Sequence, residues 1–195
     1  MTQMWESMGE KEVLRIGERL RVSLEHVRLP DGREIEDFLQ FSTPSFAVIV
    51  AYTPDGKLIC ERQYKHGSRE VILTLPAGTI EAGEDPLAAA NRELLEETGY
   101  AGDDWQPLGH RVMHANAGGG LTFAFVARNC RRVAEPNSGD LEEMTIELKT
   151  PQEMLTTIIS GELALVSDVA ALLQGLLALG LLIPVQSNPP LDASR

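Results

Sequence analysis

The stretch from Asp85 to Gly99 is the most tightly punctuated part of the chain, and it commits those residues to one helix. Asp85 offers a side-chain oxygen to the first free backbone N–H groups, and Pro86 suits the first helical position. Gly99 falls where a left-handed residue ends a helix. Between these marks, Leu87, Ala90, Asn91 and Leu94 fall on one face. Glu93, Glu96 and Glu97 share another, because spacings of three and four stack side chains on a helix of about 3.6 residues per turn.

Around this helix the sequence reads mainly as strands. Leu20, Val22 and Leu24 alternate with Arg21, Ser23 and Glu25, the period of a half-buried strand. Pro30-Asp31-Gly32-Arg33 turns the chain and residues 34–41 return, giving an N-terminal antiparallel hairpin. The apolar run 46–52 predicts a central strand, Pro54-Asp55-Gly56-Lys57 a turn, and 58–64 its partner strand. Residues 71–75 form another short strand, ending at Pro76-Ala77-Gly78. After the helix, 108–114 and 121–127 read as strands joined by Ala117-Gly118-Gly119-Gly120, 129–141 as a polar loop, and 144–148 as a last strand. Helical patterns fill 151–160 and 167–182, and 186–195 reads as a loose tail. Many strands with few, late helices fit an α/β (α+β) sandwich with a mixed sheet rather than a doubly wound parallel one.

Composition excludes several classes. With 195 residues and 43% hydrophobic content, the chain can bury the core of one domain. A formal charge of -12 argues against a nucleic-acid partner, which calls for a basic face. A small phosphorylated substrate stays open, since divalent cations bridge acidic groups. Cys60 and Cys130 sit apart in apolar runs, the pattern of buried reduced thiols in a cytoplasmic protein rather than of a zinc site or disulfide. The first twelve residues have no apolar core and are not expected to be a signal peptide. Residues 169–185 are the most apolar stretch, but they fall short of the roughly 20 needed to span a membrane. Gln174, Gly175, Gly180 and Pro184 also interrupt them, so a buried or dimer-facing helix is expected.

The three glutamates carry the chemistry. Like charges at these spacings repel by a few tenths of a kcal/mol per pair. A hard divalent cation such as Mg²⁺ would remove the conflict, since it prefers carboxylates, water and substrate phosphates. Taken alone, the glutamates favour the plainer reading of a solvated acidic face. They are not alone. Gly78, Glu84, Arg92-Glu93-Leu94, Glu96-Glu97 and Gly99-Tyr100 stand at fixed offsets.

These residues resemble the Nudix hydrolase box, G-x5-E-x7-R-E-U-x-E-E-x-G-U with U a bulky aliphatic residue. Every fixed position agrees, and Tyr100 alone departs, being bulky but aromatic. The resemblance implies a Nudix-type α/β/α sandwich and a hydrolase that needs Mg²⁺, with Mn²⁺ as a substitute. It makes Glu93 and Glu97 the principal metal ligands, Glu96 a third, and the carbonyl of Ala77 a further one. Arg92 and Glu96 stand with the catalytic group, Arg92 by ion-pairing the glutamates. Glu84 supports that network, and Gly78 and Gly99 are structural positions of the box. A glutamate on the loop before the last strand is implied as the general base. Glu142 is favoured because Met144 and Ile146 follow it suitably, and Glu143 is the second choice.

Similarity to the ADP-ribose pyrophosphatase branch reaches further. Arg62-Gln63-Tyr64-Lys65 resembles its R-Q-Y-R strand, Leu75-Pro76-Ala77-Gly78 its L-P-A-G, and Gly161-Glu162-Leu163 its ending. By this analogy Arg62 or Lys65 touches phosphate, or else pairs with surface acids. Three positions depart: Thr74 replaces a frequent glutamate, and residues 115–118 and 119–121 lack the branch's proline turn and loop glutamate. The resemblance implies ADP-ribose, cleaved to AMP and ribose 5-phosphate, as the first substrate, and the departures open a GDP-sugar or another nucleotide sugar as the alternative. Sanitation of nucleoside triphosphates and nucleotide sensing without cleavage are weaker readings of the same box. Trp5 and Phe38 are candidate stacking faces for a base, against plain packing. The expected organisation is N-terminal strands over 1–42 at a homodimer interface, a hydrolase domain over 43–185, and the tail.

Overall fold

The strand at 46–51 is apolar throughout because both of its faces are covered. In the computed structural model, which describes residues 3–139 and 143–182, the elements follow in chain order. They are β1 (Glu6–Ile16), β2 (Leu20–Arg28), β3 (Glu34–Ser42), β4 (Phe46–Ala51), β5 (Leu58–Lys65), β6 (Glu70–Thr74) and β7 (Ala77–Thr79). Then come α1 (Pro86–Thr98), β8 (Tyr100–Ala101), β9 (Asp104–His114), β10 (Gly118–Arg128), β11 (Arg131–Arg132), β12 (Met144–Lys149), α2 (Pro151–Ser160) and α3 (Val166–Ala178).

Alternation along β4 and β10 builds two cores. Val48, Val50, Ala124 and Val126 pack against Met154 of α2 and Ala171, Leu172 and Leu176 of α3. Ala47, Ile49, Ala51, Phe125 and Ala127 point the other way, onto Ala90 and Leu94 of α1. The result is the expected α/β/α sandwich. Its main sheet is mixed, because β10 runs parallel to β4 and antiparallel to β9. A second antiparallel sheet has the order β12-β5-β6.

β3 and β4 lie end to end along one side of β10, which pairs with Phe41 at Gly118 and with β4 from Thr122 onward. Residues 118–120, expected as a joining loop, are thus the start of β10. Glycine is needed there for close approach, since a Cβ at Gly120 would be driven into the carbonyl of Pro44.

The hairpin is β2–β3, and a third strand, β1, extends it. Nothing in the sequence marked β1, because every one of its residues is exposed and no burial period can appear. Its backbone pairing with β2 holds it. The short strand β7 was also unmarked; it pairs with β4, setting Ala77 opposite Val48 and Gly78 opposite Ala47.

α3 ends at Ala178, four residues before the predicted end. Gly180 turns left-handed, and the N–H groups of Gly180 and Leu181 return to the carbonyls of Leu177 and Leu176 at 3.1 and 2.9 Å, closing the helix. No helix among the described residues is long and apolar enough to cross a membrane. Both cysteines are buried and free. The tail at 186–195 lies outside the described residues.

Candidate active site

α1 carries the caps expected of it. The Asp85 carboxylate accepts from the N–H groups of Leu87 and Ala88 at 3.0 and 3.1 Å, and Gly99 is left-handed with φ 74°. Its buried face differs from the predicted one. Leu87 and Asn91 are exposed, while Ala90, Leu94 and Glu97 face inward. Glu97 is only 6% exposed, because its Oε2 accepts the N–H of Ala77 at 2.9 Å. A backbone donor thus draws one glutamate of the acidic face towards β7.

Glu93 is placed by an absence. Gly78 has no side chain, and a Cβ there would fall inside the Glu93 carboxylate. Glu93 and Glu97 therefore meet β7 at adjacent residues, beside Ala77. Arg92 holds the array from one side. Its Nε and Nη2 donate to the two Glu84 oxygens at 2.9 and 3.0 Å, and Nη2 also reaches the carbonyl of Thr79 at 3.0 Å. Its Nη1 donates to Glu93 at 2.7 Å and to Glu96 at 3.2 Å. Arg92 holds Glu84 below the usual carboxylate range, aided by the N–H of Glu81. Glu96 is the most exposed of the three acids.

This turn opens onto a cleft of about 500 Å³ lined by Ala77, Gly78, Thr79, Gln63, Lys65 and Asp168, among others. Lys65 lies in it, whereas Arg62 does not line it. The Arg62 guanidinium is engaged by Glu147, at 2.5 Å from Nε, and by Glu162. Of the two phosphate candidates, only Lys65 thus faces the cleft.

Two buried acids escaped the sequence reading. Asp168 of α3 is buried, its Oδ2 accepting the N–H of Leu75 at 2.9 Å and its Oδ1 the hydroxyl of Ser167 at 3.0 Å. Burial pushes its carboxyl up to about 6 against those two donors. Glu61 is fully buried on β5, directly across from Thr74 of β6. Burial, and next the charge of Glu97, hold its carboxyl well above the usual range. The signal for Glu61 was present: β5 reads LICERQYK, with an acid on the inward face between Ile59 and Gln63. Asp168 was an acid in the first turn of an otherwise apolar helix.

Trp5 and Phe38 pack edge-to-face, ring centroids 5.4 Å apart, and line a separate hollow with Glu25, Gln40 and Asn116. Glu143 is exposed just before β12, whereas Glu142, the favoured general base, lies outside the described residues.

A family model for the NUDIX domain matches residues 42–159. The chain belongs to this family. It is 34% identical over 100 residues to an ADP-ribose pyrophosphatase of Bacillus subtilis, covering 51% of this chain and 54% of that protein, about half its length. It is 28% identical over 188 residues to an ADP-ribose pyrophosphatase of Mycobacterium tuberculosis, covering 93% of this chain and 86% of that one. Among solved structures, that of an ADP compounds hydrolase superposes with a TM-score of 0.79 at 21% identity, covering 93% of this chain and 99% of the other. That likeness shows the Nudix fold.

The donors of this Nudix site fit a hard divalent cation, being carboxylates gathered at the backbone of Ala77 and Gly78. The space at Gly78, which only a glycine leaves for Glu93, fits as well. Among the described residues no three acidic, imidazole or thiol side chains converge as a finished ligand set. Arg92 holds Glu93 and Glu96, and the Ala77 N–H holds Glu97.

Proposed function

We propose that this Nudix hydrolase cleaves the diphosphate of ADP-ribose to AMP and ribose 5-phosphate, with Mg²⁺ as its cation and Mn²⁺ as a substitute. The observation that carries the reading is the convergence of Glu93 and Glu97 on the turn at Ala77 and Gly78, at the mouth of a cleft that contains Lys65. The similarity to two ADP-ribose pyrophosphatases supports the choice of substrate.

When bound, a divalent cation neutralises the diphosphate and makes water a stronger acid. The protein does the rest. Glu93 and Glu97, with Glu96 and the Ala77 carbonyl, hold the cation. Arg92 and Glu84 fix those carboxylates, a task for which the planar guanidinium fork suits better than an ammonium. Lys65 steadies a phosphate in the cleft. A glutamate before β12, Glu142 ahead of Glu143, takes the proton from the attacking water.

The test is incubation with ADP-ribose, a GDP-sugar and nucleoside triphosphates, with and without Mg²⁺. Cation-dependent release of AMP and ribose 5-phosphate is expected. Preference for the GDP-sugar, pyrophosphate release from triphosphates, or binding without products would each replace this substrate by the corresponding alternative.

The working form proposed is a cytoplasmic homodimer acting on a small nucleotide, with neither nucleic acid nor membrane as partner. Two buried free thiols support a reducing compartment. Residues 1–42 supply the interface: Trp5, Met8, Leu14, Ile16 and Leu39 expose apolar side chains there that a second copy would cover. There Trp5 and Phe38 would serve the partner's substrate base. Sedimentation of the full chain at micromolar concentration should give twice the chain mass, and a monomer would reject the assembly.

A further inference from the structure

β5 alternates between two environments, and its inward face carries Ile59, Glu61 and Gln63 in succession. Isoleucine belongs in a core. A glutamate 0% exposed does not, unless something compensates its charge. Its Oε2 receives one weak donor, Gln63 Nε2 at 3.2 Å, an amide that also serves the Thr74 hydroxyl at 3.0 Å. Its Oε1 has no donor among the described residues, and neither has Oε1 of Gln63 on the same face. No arginine or lysine pairs with it there, and Lys65 acts on it only through the field. The group it faces is another carboxylate, that of Glu97. Two acids are thus set together out of water, and Oε1 of Glu61 and of its neighbour Gln63 are left without donors among the described residues.

We propose that Glu61 is a carboxylate of the divalent-cation site, reaching from β5 to share with Glu97 the cation held at α1. The proposal rests on the reading that the α1 glutamates bind a cation. It adds a ligand from a strand outside the Gly78–Tyr100 segment. A cation supplies what the geometry lacks, a positive partner for Glu61 Oε1, which no donor among the described residues reaches. Gln63 then acts as a positioning residue, holding Glu61 Oε2 through its amide and leaving Oε1 directed to the cation.

The competing arrangement is a neutral Glu61 that shares a proton with Glu97. Glutamine separates the two, because it copies the neutral acid in shape and donates a hydrogen bond but cannot supply charge. Metal-free full-length protein is titrated with Mn²⁺ alone, with free Mn²⁺ followed by electron paramagnetic resonance and melting recorded in parallel. Glu61→Gln should fold, melt no lower than the parent without metal, and bind Mn²⁺ about tenfold to a hundredfold more weakly. Glu61→Val, which suits a buried strand position, should weaken binding to the same degree and serves if the glutamine variant does not fold. Glu97→Gln is the reference. Parent-like Mn²⁺ affinity in the Glu61 variants, with affinity lost in Glu97→Gln, overturns the proposal. Parent-like affinity in Glu97→Gln as well overturns the cation reading of α1 itself, and this proposal with it.

Discussion

The carboxylate of Glu93 lies over the Cα of Gly78, in the space that any other residue would fill with its Cβ. A strand turn and a helix face are thereby brought closer than two side chains would allow. Gly78→Ala must push Glu93 aside, with Arg92 following. Overpacking of this kind costs about 1–3 kcal/mol. The melting temperature should fall by a few degrees while hydrolysis drops far more, measured as kcat at saturating cation. Parent-like kcat in a folded variant would dissociate Glu93 from the chemistry.

Glu97→Gln keeps the shape and an oxygen for the Ala77 N–H, so the fold should survive. Removing one charge from the proposed cation site should lower turnover of ADP-ribose by at least about a hundredfold. Circular dichroism and single-turnover rates check the two halves separately. Unchanged turnover would reject Glu97 as a ligand.

Arg92 joins Glu84, Glu93, Glu96 and the carbonyl of Thr79 through one planar group. Lysine carries the charge but not the fork. Arg92→Lys should therefore cost about 1–3 kcal/mol of stability and roughly tenfold to a hundredfold in kcat. Because Glu84→Gln cuts the same network, the double variant should lose less than the sum of the two. Urea unfolding and steady-state kinetics on the four proteins provide the cycle.

Asp168 makes stability depend on pH in a direction opposite to that of a salt-bridged acid. Its folded value, about 6, lies above the ordinary 3.8. Its contribution is therefore complete below pH 3.8 and is lost as the pH rises through about 6. The gap corresponds to on the order of 3 kcal/mol. Asp168→Asn keeps an acceptor for the Leu75 N–H but cannot ionise, so its advantage over the parent should grow between pH 5 and pH 7.5. Urea titrations at those two pH values measure it, and a constant difference would contradict the assignment.

How far the sequence could be read follows from where each signal resides. The helix at 86–98 was legible to the residue because its stops are local, an aspartate, a proline and a glycine acting on their own neighbours. β1 was not, because an all-exposed strand held by backbone pairing leaves no trace in its side chains. The end of α3 was overrun because leucines continue past the turn at Gly180, and apolar character does not tell a helix from the chain leaving it.

The sequence by itself determined the helix at 86–98, the acids on it and the sandwich around it, since each rests on residues within a few positions of one another or on simple alternation. Only the tertiary structure decided which way that helix is turned. It also brought Glu61, 36 positions before Glu97, against it, and Asp168, 93 after Leu75, onto that backbone N–H. The physical reason is that burial and donor supply are properties of the packed assembly. A carboxylate on a strand or helix has no partner until another element is laid across it.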